Sequence, residues 1–397
     1  MRRPRWIIPH APQSNRSPNP DAPSPNPETP TSTSPHPTQQ NPPLPPHPTK
    51  PAIYHCISRV VDKRFAFGPD EKEKLRTFMR MYENFSGNRI LSYCFMSNHI
   101  HILVEITPPP AGGLTDRQLL DRLRSIQSEA QVALVAKELT DARKSIADGI
   151  VKNPEAYIAA IHERFTRRMH DLSQFMQGFL QRYTLWHNPR HKRSGHLWEA
   201  RFKSVIVENG IAARSIAAYI DLNPVRAGIV EDPAHYRWSS YGEAIGGSPK
   251  GNGKKAREGL VRACLSHQGT GFESAKWADA STIYRKIMAI ALDKKNAQSK
   301  SPKASPSKPK NNKQNPTSTT SNPSTLPDLT IATMLLCRIR YFSDGAAIGS
   351  KAFVNDLFEN ARNQFGPKRK TGARRLKGNG KPAAGTLWSA RDLRFRI

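Results

Sequence analysis

The alternation of apolar and polar residues predicts a mixed α+β domain with a small antiparallel sheet in the middle of the chain. Residues 52–61 alternate and are rich in β-branched side chains, whereas residues 69–87 repeat large apolar side chains at helical spacing. The connection 96–98 is short enough to join two antiparallel strands. The full prediction is strands at 52–61, 90–95, 99–106 and 203–208, and helices at 69–87, within 114–186 and at 211–222.

Composition divides the chain around this domain. Residues 1–50 contain 16 of the 34 prolines, and such a stretch buries too little apolar surface to fold, so we predict a disordered arm. The main domain is assigned to residues 51–247, with a helical insertion at about 114–161, and a basic extension with a low-complexity linker to 248–328. Residues 329–397 are predicted to form a small helical segment with a basic tail. Its apolar spacing suits two short helices joined around 344–345, which could form a helix-turn-helix or pack onto the domain.

The charge balance favours a polyanionic partner. The chain has 61 Lys+Arg against 32 Asp+Glu, a net charge of +29, and each neutralised phosphate releases condensed counterions. Much of the excess lies in the linker and after residue 367, where it could serve solubility alone. The charge therefore indicates nucleic acid without indicating what is done to it.

Simple features of the sequence disfavour several classes of protein. The 4 cysteines have no CxxC spacing, which argues against a disulfide framework or a zinc ribbon and suits a reducing compartment. The sequence has no run of 18 apolar residues, and its first residues do not form a secretory signal. We therefore expect no membrane span and a cytoplasmic, nucleoid-associated location.

The most informative motif is a pair of histidines at the start of a predicted strand. Only Ile100 separates His99 from His101, and because side chains alternate along a strand, both imidazoles point to one face while the isoleucines fill the other. Two imidazoles on a rigid element can present a bidentate site to a metal ion. The alternative is a pair of strand histidines hydrogen-bonded to neighbours at a sheet end.

A second candidate group lies at the end of the predicted helix 211–222. Tyr219 and Asn223 are four residues apart, which places them on one face, about a turn from each other. A deprotonated phenol could attack phosphorus, and an amide oxygen is a ligand for Mg²⁺ or Mn²⁺. With two histidines it would leave positions for phosphate oxygens and water, as a Lewis-acid metal requires. Tyr219 could instead be a core aromatic, and Asn223 a helix-end residue ahead of Pro224.

Several stretches, in the right order, resemble the REP-associated tyrosine transposases. These are IS200-like, single-tyrosine relatives of the HUH (His, hydrophobic, His) single-strand endonucleases. The resemblance covers about residues 51–246, and the helical stretch 114–161 departs from the family pattern. The matching stretches are the His-Ile-His strand and residues 54–59 (YHCISR), 193–204 (RSGHLWEARFKS), 219–228 (YIDLNPVRAG) and 236–241 (YRWSSY).

The resemblance implies a fold, a reaction and a set of site residues. The fold is a ferredoxin-like or RRM-like antiparallel sheet with helices packed on it. The reaction is Mg²⁺- or Mn²⁺-dependent cleavage of single-stranded DNA near a hairpin, through a 5′-phosphotyrosine link that leaves a 3′-OH for rejoining. Tyr219 is then the nucleophile, His99 and His101 are metal ligands, and Asn223 is the third ligand. No small-molecule cofactor is implied, and the chain could be a monomer or a homodimer.

The resemblance also implies a DNA-contacting surface of arginines and aromatics, which suit phosphates and unpaired bases. Trp198 and Phe202 could instead pack in the core, the basic residues could form a solvated face, and Arg226 could cap the preceding helix. The predicted DNA-contacting residues are Arg193, Trp198, Arg201, Phe202, Lys203 and Arg226.

Two other functions remain open from the sequence. One is a domesticated hairpin-DNA-binding protein that has lost catalysis. The other is a histidine-triad nucleotide hydrolase, which is disfavoured because such enzymes need a third alternating histidine and position 103 is Leu103.

Overall fold

The computed structural model describes residues 50–151, 153–248, 250–265, 276–300, 335, 342, 345–362, 369–375 and 387–390. The predicted disordered arm, apart from Lys50, and most of the predicted linker lie outside the described residues. The strands are β1 (Ala52–Arg59), β2 (Arg89–Phe95), β3 (His99–Ile106), β4 (Lys203–Val207), β5 (Ala347–Gly349), β6 (Arg374–Arg375) and β7 (Trp388–Ala390). The helices are α1 (Pro69–Ser86), α2 (Asp116–Leu123), α3 (Glu129–Ala147), α4 (Pro154–Thr166), α5 (Leu172–Arg190), α6 (Ile211–Asp221), α7 (Asn223–Arg226), α8 (Ser240–Gly246), α9 (Asn252–Leu265), α10 (Trp277–Lys300) and α11 (Lys351–Asn360).

All seven described strands lie in one sheet, in the order β2-β3-β1-β4-β5-β7-β6. β1 is antiparallel to both β3 and β4, and β2 is antiparallel to β3. The first four strands therefore have the ferredoxin-like order, and the predicted α+β fold is confirmed. β5 runs parallel to β4, so the complete sheet is mixed rather than purely antiparallel.

The alternation of side chains along β1 and β3 divides the core between the two faces of the sheet. Even-numbered residues such as Ile100 and Ile102 pack in one cluster with α1 and α5. Odd-numbered residues such as Ile53 and Leu103 pack in the other cluster, under α6, α9 and α10. The prediction that the isoleucines beside the histidines fill the opposite face is confirmed.

The start and end of α1 follow from local chemistry. Pro69 occupies the first turn, where its missing N–H costs nothing, and the Glu71 side chain accepts a hydrogen bond from the Gly68 N–H at 3.0 Å. Gly87 ends the helix with a φ of 74°, a left-handed conformation that glycine adopts without steric strain. The predicted helix 69–87 therefore matches α1 within a residue.

Two segments differ from what the sequence indicated. The predicted extension begins with α9 and α10, which pack into the second core: a Cβ at Gly259 would lie 2.3 Å from the Ile90 carbonyl oxygen. The C-terminal segment was predicted to be helical; its described part contains α11 and further helical positions at Leu335 and Phe342, but it also adds three short strands to the sheet. Strands of two or three residues are too short to show alternation, which explains this error.

The stretch that was predicted to be a helical insertion contains α2, α3 and most of α4. Each of these helices begins at a capping side chain, which accepts a hydrogen bond from a backbone N–H of the first turn: Thr115, Ser128 and Asn153. Among the described helices, none combines the length and the apolar character needed to cross a bilayer.

Candidate active site

Three histidines share the face of the sheet that α6 covers. His99 and His101 lie at the start of β3, with ring centroids 5.0 Å apart. His55 lies on the neighbouring β1, and its ring stacks on that of His101 at 5.2 Å. His99 is half-buried, whereas His101 is 5% exposed and His55 is fully buried. The pairing of β1 with β3 therefore adds a third imidazole to the predicted pair.

A chain of hydrogen bonds determines the tautomer of His101. His55 Nδ1 lies 2.7 Å from the Phe342 carbonyl oxygen, and His55 Nε2 lies 2.9 Å from His101 Nδ1. A carbonyl oxygen can only accept, so His55 Nδ1 carries a proton. In a neutral His55 the Nε2 atom then accepts from His101 Nδ1–H, and the lone pair of a neutral His101 is on its Nε2.

Burial keeps both rings of this pair neutral. Desolvation, only partly offset by the hydrogen bond to Phe342, lowers the pKa of His55 to about 4. Desolvation and the neighbouring imidazoles hold the pKa of His101 well below 6.5. An unprotonated imidazole nitrogen is the form that a metal ion binds.

His99 has a similar arrangement at the rim of the sheet. Its Nδ1 lies 2.7 Å from the Asn98 side-chain oxygen, while the Asn98 amide nitrogen donates to the Lys63 carbonyl oxygen at 2.9 Å. In the tautomer that this geometry favours, the lone pair of His99 is on Nε2. A ligating histidine typically donates its second ring N–H to an oxygen acceptor in this way.

Tyr219 lies against the histidines, but it is buried. Its ring centroid is 6.4 Å from those of His55 and His101, with both rings edge-on. Phe342 packs on the Tyr219 ring at 4.8 Å, and the tyrosine is 3% exposed. The structure therefore brings together the predicted nucleophile and the predicted metal ligands, underneath a residue from the C-terminal segment.

Arg226 contacts the helix that carries Tyr219 and does not simply extend from the surface. Its guanidinium carbon lies 3.9 Å from the centroid of the Tyr219 ring, and it donates to the carbonyl oxygens of Tyr219 and Leu335 at 2.8 and 2.7 Å. Of the two roles left open by the sequence, the structure shows the capping contact with the preceding helix. The guanidinium over the ring makes a cation–π contact with Tyr219.

The donor set fits a divalent metal ion only in part. The Asn223 amide nitrogen donates to the Ile220 carbonyl oxygen at 3.1 Å, so this bond does not use the amide oxygen that a metal would need. Among the described residues, no group of three or more His, Cys, Asp and Glu side chains could hold a metal. The two strand histidines suit a metal that completes its coordination with amide, water or phosphate oxygens, and the ligand role of Asn223 stays a prediction.

A buried carboxyl supports the end of α6. Asp221 is fully buried and accepts hydrogen bonds from the Tyr284 hydroxyl at 2.6 Å and the Tyr241 N–H at 3.0 Å. Desolvation outweighs these hydrogen bonds and raises the pKa of Asp221 to about 7. The turn that carries Tyr219 is thus fixed from below by helices α8 and α10.

The other predicted DNA-contacting residues lie beside the end of β1, and their DNA roles stay predictions. Arg201 and Lys203 are exposed and Arg193 is half-buried. The Trp198 ring N–H donates to the Thr184 hydroxyl at 3.0 Å, and Phe202 packs partly against the core. The structure thus shows the packing contacts that the sequence left open for the two aromatics.

A comparison with protein families finds a match for the segment that carries the three histidines. Residues 49–111 match the IS200-like transposases. The matched segment contains β1, α1, β2 and β3, and therefore His55, His99 and His101, whereas Tyr219 and Asn223 lie outside it. The predicted relationship to the IS200-like transposases is confirmed by this match.

One solved structure, of a REP-associated tyrosine transposase bound to a REP hairpin, is similar to 52% of this chain and 87% of its own chain, with 12% identity and a TM-score of 0.32. A TM-score of this size carries no argument about fold or function. None of the curated proteins compared with the chain matches it.

Sequence reasoning missed His55 and Phe342. His55 follows Ile53 by two residues in an alternating run, which placed it on one face of a strand but did not indicate which strand would lie beside it. Phe342 is 287 residues away from His55 along the chain. No spacing in the sequence could have linked the two.

Proposed function

We propose that this chain is a metal-dependent transposase that nicks and rejoins single-stranded DNA at hairpins, with Tyr219 as the nucleophile. The observation that carries the proposal is the position of the Tyr219 ring, 6.4 Å from that of His101, in a chain whose histidine strands match the IS200-like transposases. A hairpin substrate is supported by the residues that resemble the REP-associated tyrosine transposases.

In the proposed reaction the Tyr219 oxygen attacks a backbone phosphorus. The new bond joins this oxygen to phosphorus, the bond to the 3′-oxygen of the preceding nucleotide breaks, and the phenol proton ends on that oxygen as a 3′-OH. Rejoining is the reverse reaction with another 3′-OH. The Arg226 guanidinium over the ring would offset the negative charge that the phenol oxygen carries after its proton leaves and before the bond to phosphorus forms.

His99 and His101 would hold Mg²⁺ or Mn²⁺ through Nε2. When bound, the metal would supply a Lewis acid that polarises the scissile phosphate. His55 keeps His101 in the tautomer that makes this possible. Because the Phe342 ring packs on Tyr219, the DNA can reach the phenol only after this ring has moved away.

The test is covalent adduct formation. The full chain is incubated with hairpin DNA bearing single-stranded flanks, with Mn²⁺ or with EDTA, and analysed by denaturing electrophoresis. We expect a metal-dependent adduct with the wild type and with Tyr157→Phe, a control at an exposed tyrosine of α4, but none with Tyr219→Phe. An adduct that persists in Tyr219→Phe, or the absence of any adduct across a broad set of hairpins, would overturn the proposal.

The burial of Tyr219 favours a second candidate, a hairpin-DNA-binding protein without cleavage activity. In that case the tyrosine would serve as a core residue under Phe342, and the basic surface would carry the function. Salt-sensitive binding without adduct formation, in the wild type and in a Phe342→Ala variant that uncovers the ring, would support it.

A further inference from the structure

A cleft beside the histidine end of the sheet has no role in the reaction described above. It has a volume of about 350 Å³, and its lining includes Arg64, Phe65, Glu71, His187, His191 and Arg193. This volume is at the lower end of the range for small-molecule sites and suits a single nucleotide. The cleft lies between the loop that follows β1, the start of α1 and the turn that follows α5.

Phe65 is the most exposed large apolar residue of the described chain. It is 85% exposed, and the neighbouring Lys63 and Arg64 are also exposed. A single exposed apolar residue is common on protein surfaces, but an aromatic ring among basic side chains is the usual platform for an unpaired base.

The loop that presents Phe65 is held in a defined conformation. Asp62 and Lys63 have φ values of 57° and 56°, in the left-handed region that residues other than glycine rarely adopt. The Lys63 carbonyl oxygen accepts a hydrogen bond from the Asn98 side chain, and the Phe67 N–H donates to the Ser97 carbonyl oxygen at 3.0 Å. The loop is therefore attached directly to the turn that precedes His99.

The floor of the cleft contains a buried polar side chain that makes no well-aligned hydrogen bond. His187 is 2% exposed, and its ring lies close to the Ala66 backbone and the Asn188 side chain without the alignment of a full hydrogen bond to either. Its ring stacks on His191 at 4.2 Å, and His191 is paired with Glu71 at 3.0 Å. Buried polar atoms without a partner are uncommon and indicate a ligand or water that supplies one.

A cation is available at the other side of the cleft. Among the described residues the Arg193 guanidinium has no acidic partner within ion-pair distance, whereas Arg64 is paired with Asp62 at 3.4 Å. A guanidinium that lines the same cleft as an exposed aromatic ring suits a phosphate attached to a base stacked on that ring.

We propose that this cleft binds one unpaired nucleotide of single-stranded DNA, with the base stacked on Phe65, the base edge on His187 and the phosphate on Arg193. The inference rests on the proposed DNA substrate and adds a binding subsite to it. Since the loop is attached to the turn before His99, a nucleotide in the cleft fixes the position of the strand as it approaches the histidines.

The test is DNA binding without metal, in the Tyr219→Phe background, so that cleavage does not enter the measurement. A fluorescein-labelled hairpin with single-stranded flanks is titrated by anisotropy at several salt concentrations. Phe65→Ala is compared with Leu134→Ala, which removes a similarly exposed apolar side chain from α3. Arg193→Ala is compared with Arg117→Ala, which removes an exposed arginine from α2.

We expect Phe65→Ala to weaken binding about 5- to 100-fold without changing its salt dependence, because stacking is not ionic. Arg193→Ala should make the negative slope of log K against log salt shallower by about 0.7, as expected for one lost phosphate contact on a single strand. In a scan with 2-aminopurine, the quenching at one unpaired position should disappear in Phe65→Ala.

Three results would overturn the subsite: no binding of the probe by the parent chain, equal loss of binding in Phe65→Ala and Leu134→Ala, or equal binding of a hairpin without unpaired flanks. Absence of the covalent adduct in the earlier assay, with Phe65-dependent binding retained, would overturn the proposed reaction and leave the subsite standing.

Discussion

The two ends of the candidate site differ in access. His99 is half-buried at the start of β3 and lies beside the open cleft of Phe65, whereas His55 and Tyr219 are buried under Phe342. Both ends are built on the same sheet face, so the difference does not arise from the strands. Among the described residues of the C-terminal segment, Phe342 packs on the buried end. The groups for the proposed reaction thus lie close together, while access to the proposed nucleophile depends on Phe342, a residue distant in the chain.

The largest effect should come from His101, where the two ends meet. Replacing His101 with Ala removes a proposed metal ligand next to the nucleophile, and we expect adduct formation with Mn²⁺ to fall at least about 100-fold. The measurement is the initial rate on denaturing gels. His162→Ala, at a histidine paired with Asp116 in the insertion, is the control. Equal rates in the two variants would show that the histidine strand takes no part in the chemistry.

Asp221, which supports the buried end of the site, should make the free energy of unfolding depend on pH. The pKa of Asp221 is about 7 in the folded chain, against 3.8 for an ordinary aspartate. A raised pKa means that the folded state binds the proton more tightly, so its contribution to stability is lost as the pH rises from about 4 to about 7. Relative to Asp221→Asn, the wild type should lose roughly 3 kcal/mol of unfolding free energy between pH 5 and pH 8.

Urea unfolding of the wild type and Asp221→Asn at both pH values measures this difference. Asp279→Asn, at an exposed aspartate of α10, corrects for the general effect of losing a carboxylate. Parallel pH profiles in wild type and Asp221→Asn would mean that the carboxyl titrates normally.

A smaller effect should come from His55, which positions the His101 ring through a hydrogen bond. We expect His55→Leu to weaken Mn²⁺ binding about 10- to 100-fold, because the acceptor that fixes the His101 tautomer is lost. His55→Gln restores an amide oxygen as acceptor and should recover most of the affinity. Calorimetric titration of each variant with Mn²⁺ is the measurement, and unchanged affinity in His55→Leu would remove His55 from the site.

The smallest expected effect bears directly on the covered end. Phe342→Ala removes the ring that packs on Tyr219 but keeps the backbone carbonyl bonded to His55. Adduct formation should become faster by a few-fold, because less apolar area opposes opening. Phe353→Ala, at a partly buried residue of α11, is the matched control. A slower reaction in Phe342→Ala would mean that the ring positions the nucleophile instead of blocking it.

The sequence predicted the parts of the site that lie on regular elements. Alternation in β3 was enough to place His99 and His101 on one face, and helical spacing brought Tyr219 to the same helix end as Asn223. The register between strands could not be predicted, since the pattern of β1 does not indicate that Ile57 pairs with His101. His55 therefore escaped notice. The cover over Tyr219 was hidden for a different reason: it depends on a contact between distant segments, and β5 is too short to show a period.

The bond between His55 and the Phe342 carbonyl has a consequence for the order in which the protein is made. The two residues are 287 positions apart. The ribosome therefore completes His99, His101 and Tyr219 long before it adds Phe342. A chain whose translation stops between residues 300 and 342 carries every proposed reacting group and lacks both the acceptor and the cover. Premature termination in that interval would thus produce a chain in which Phe342 does not cover Tyr219.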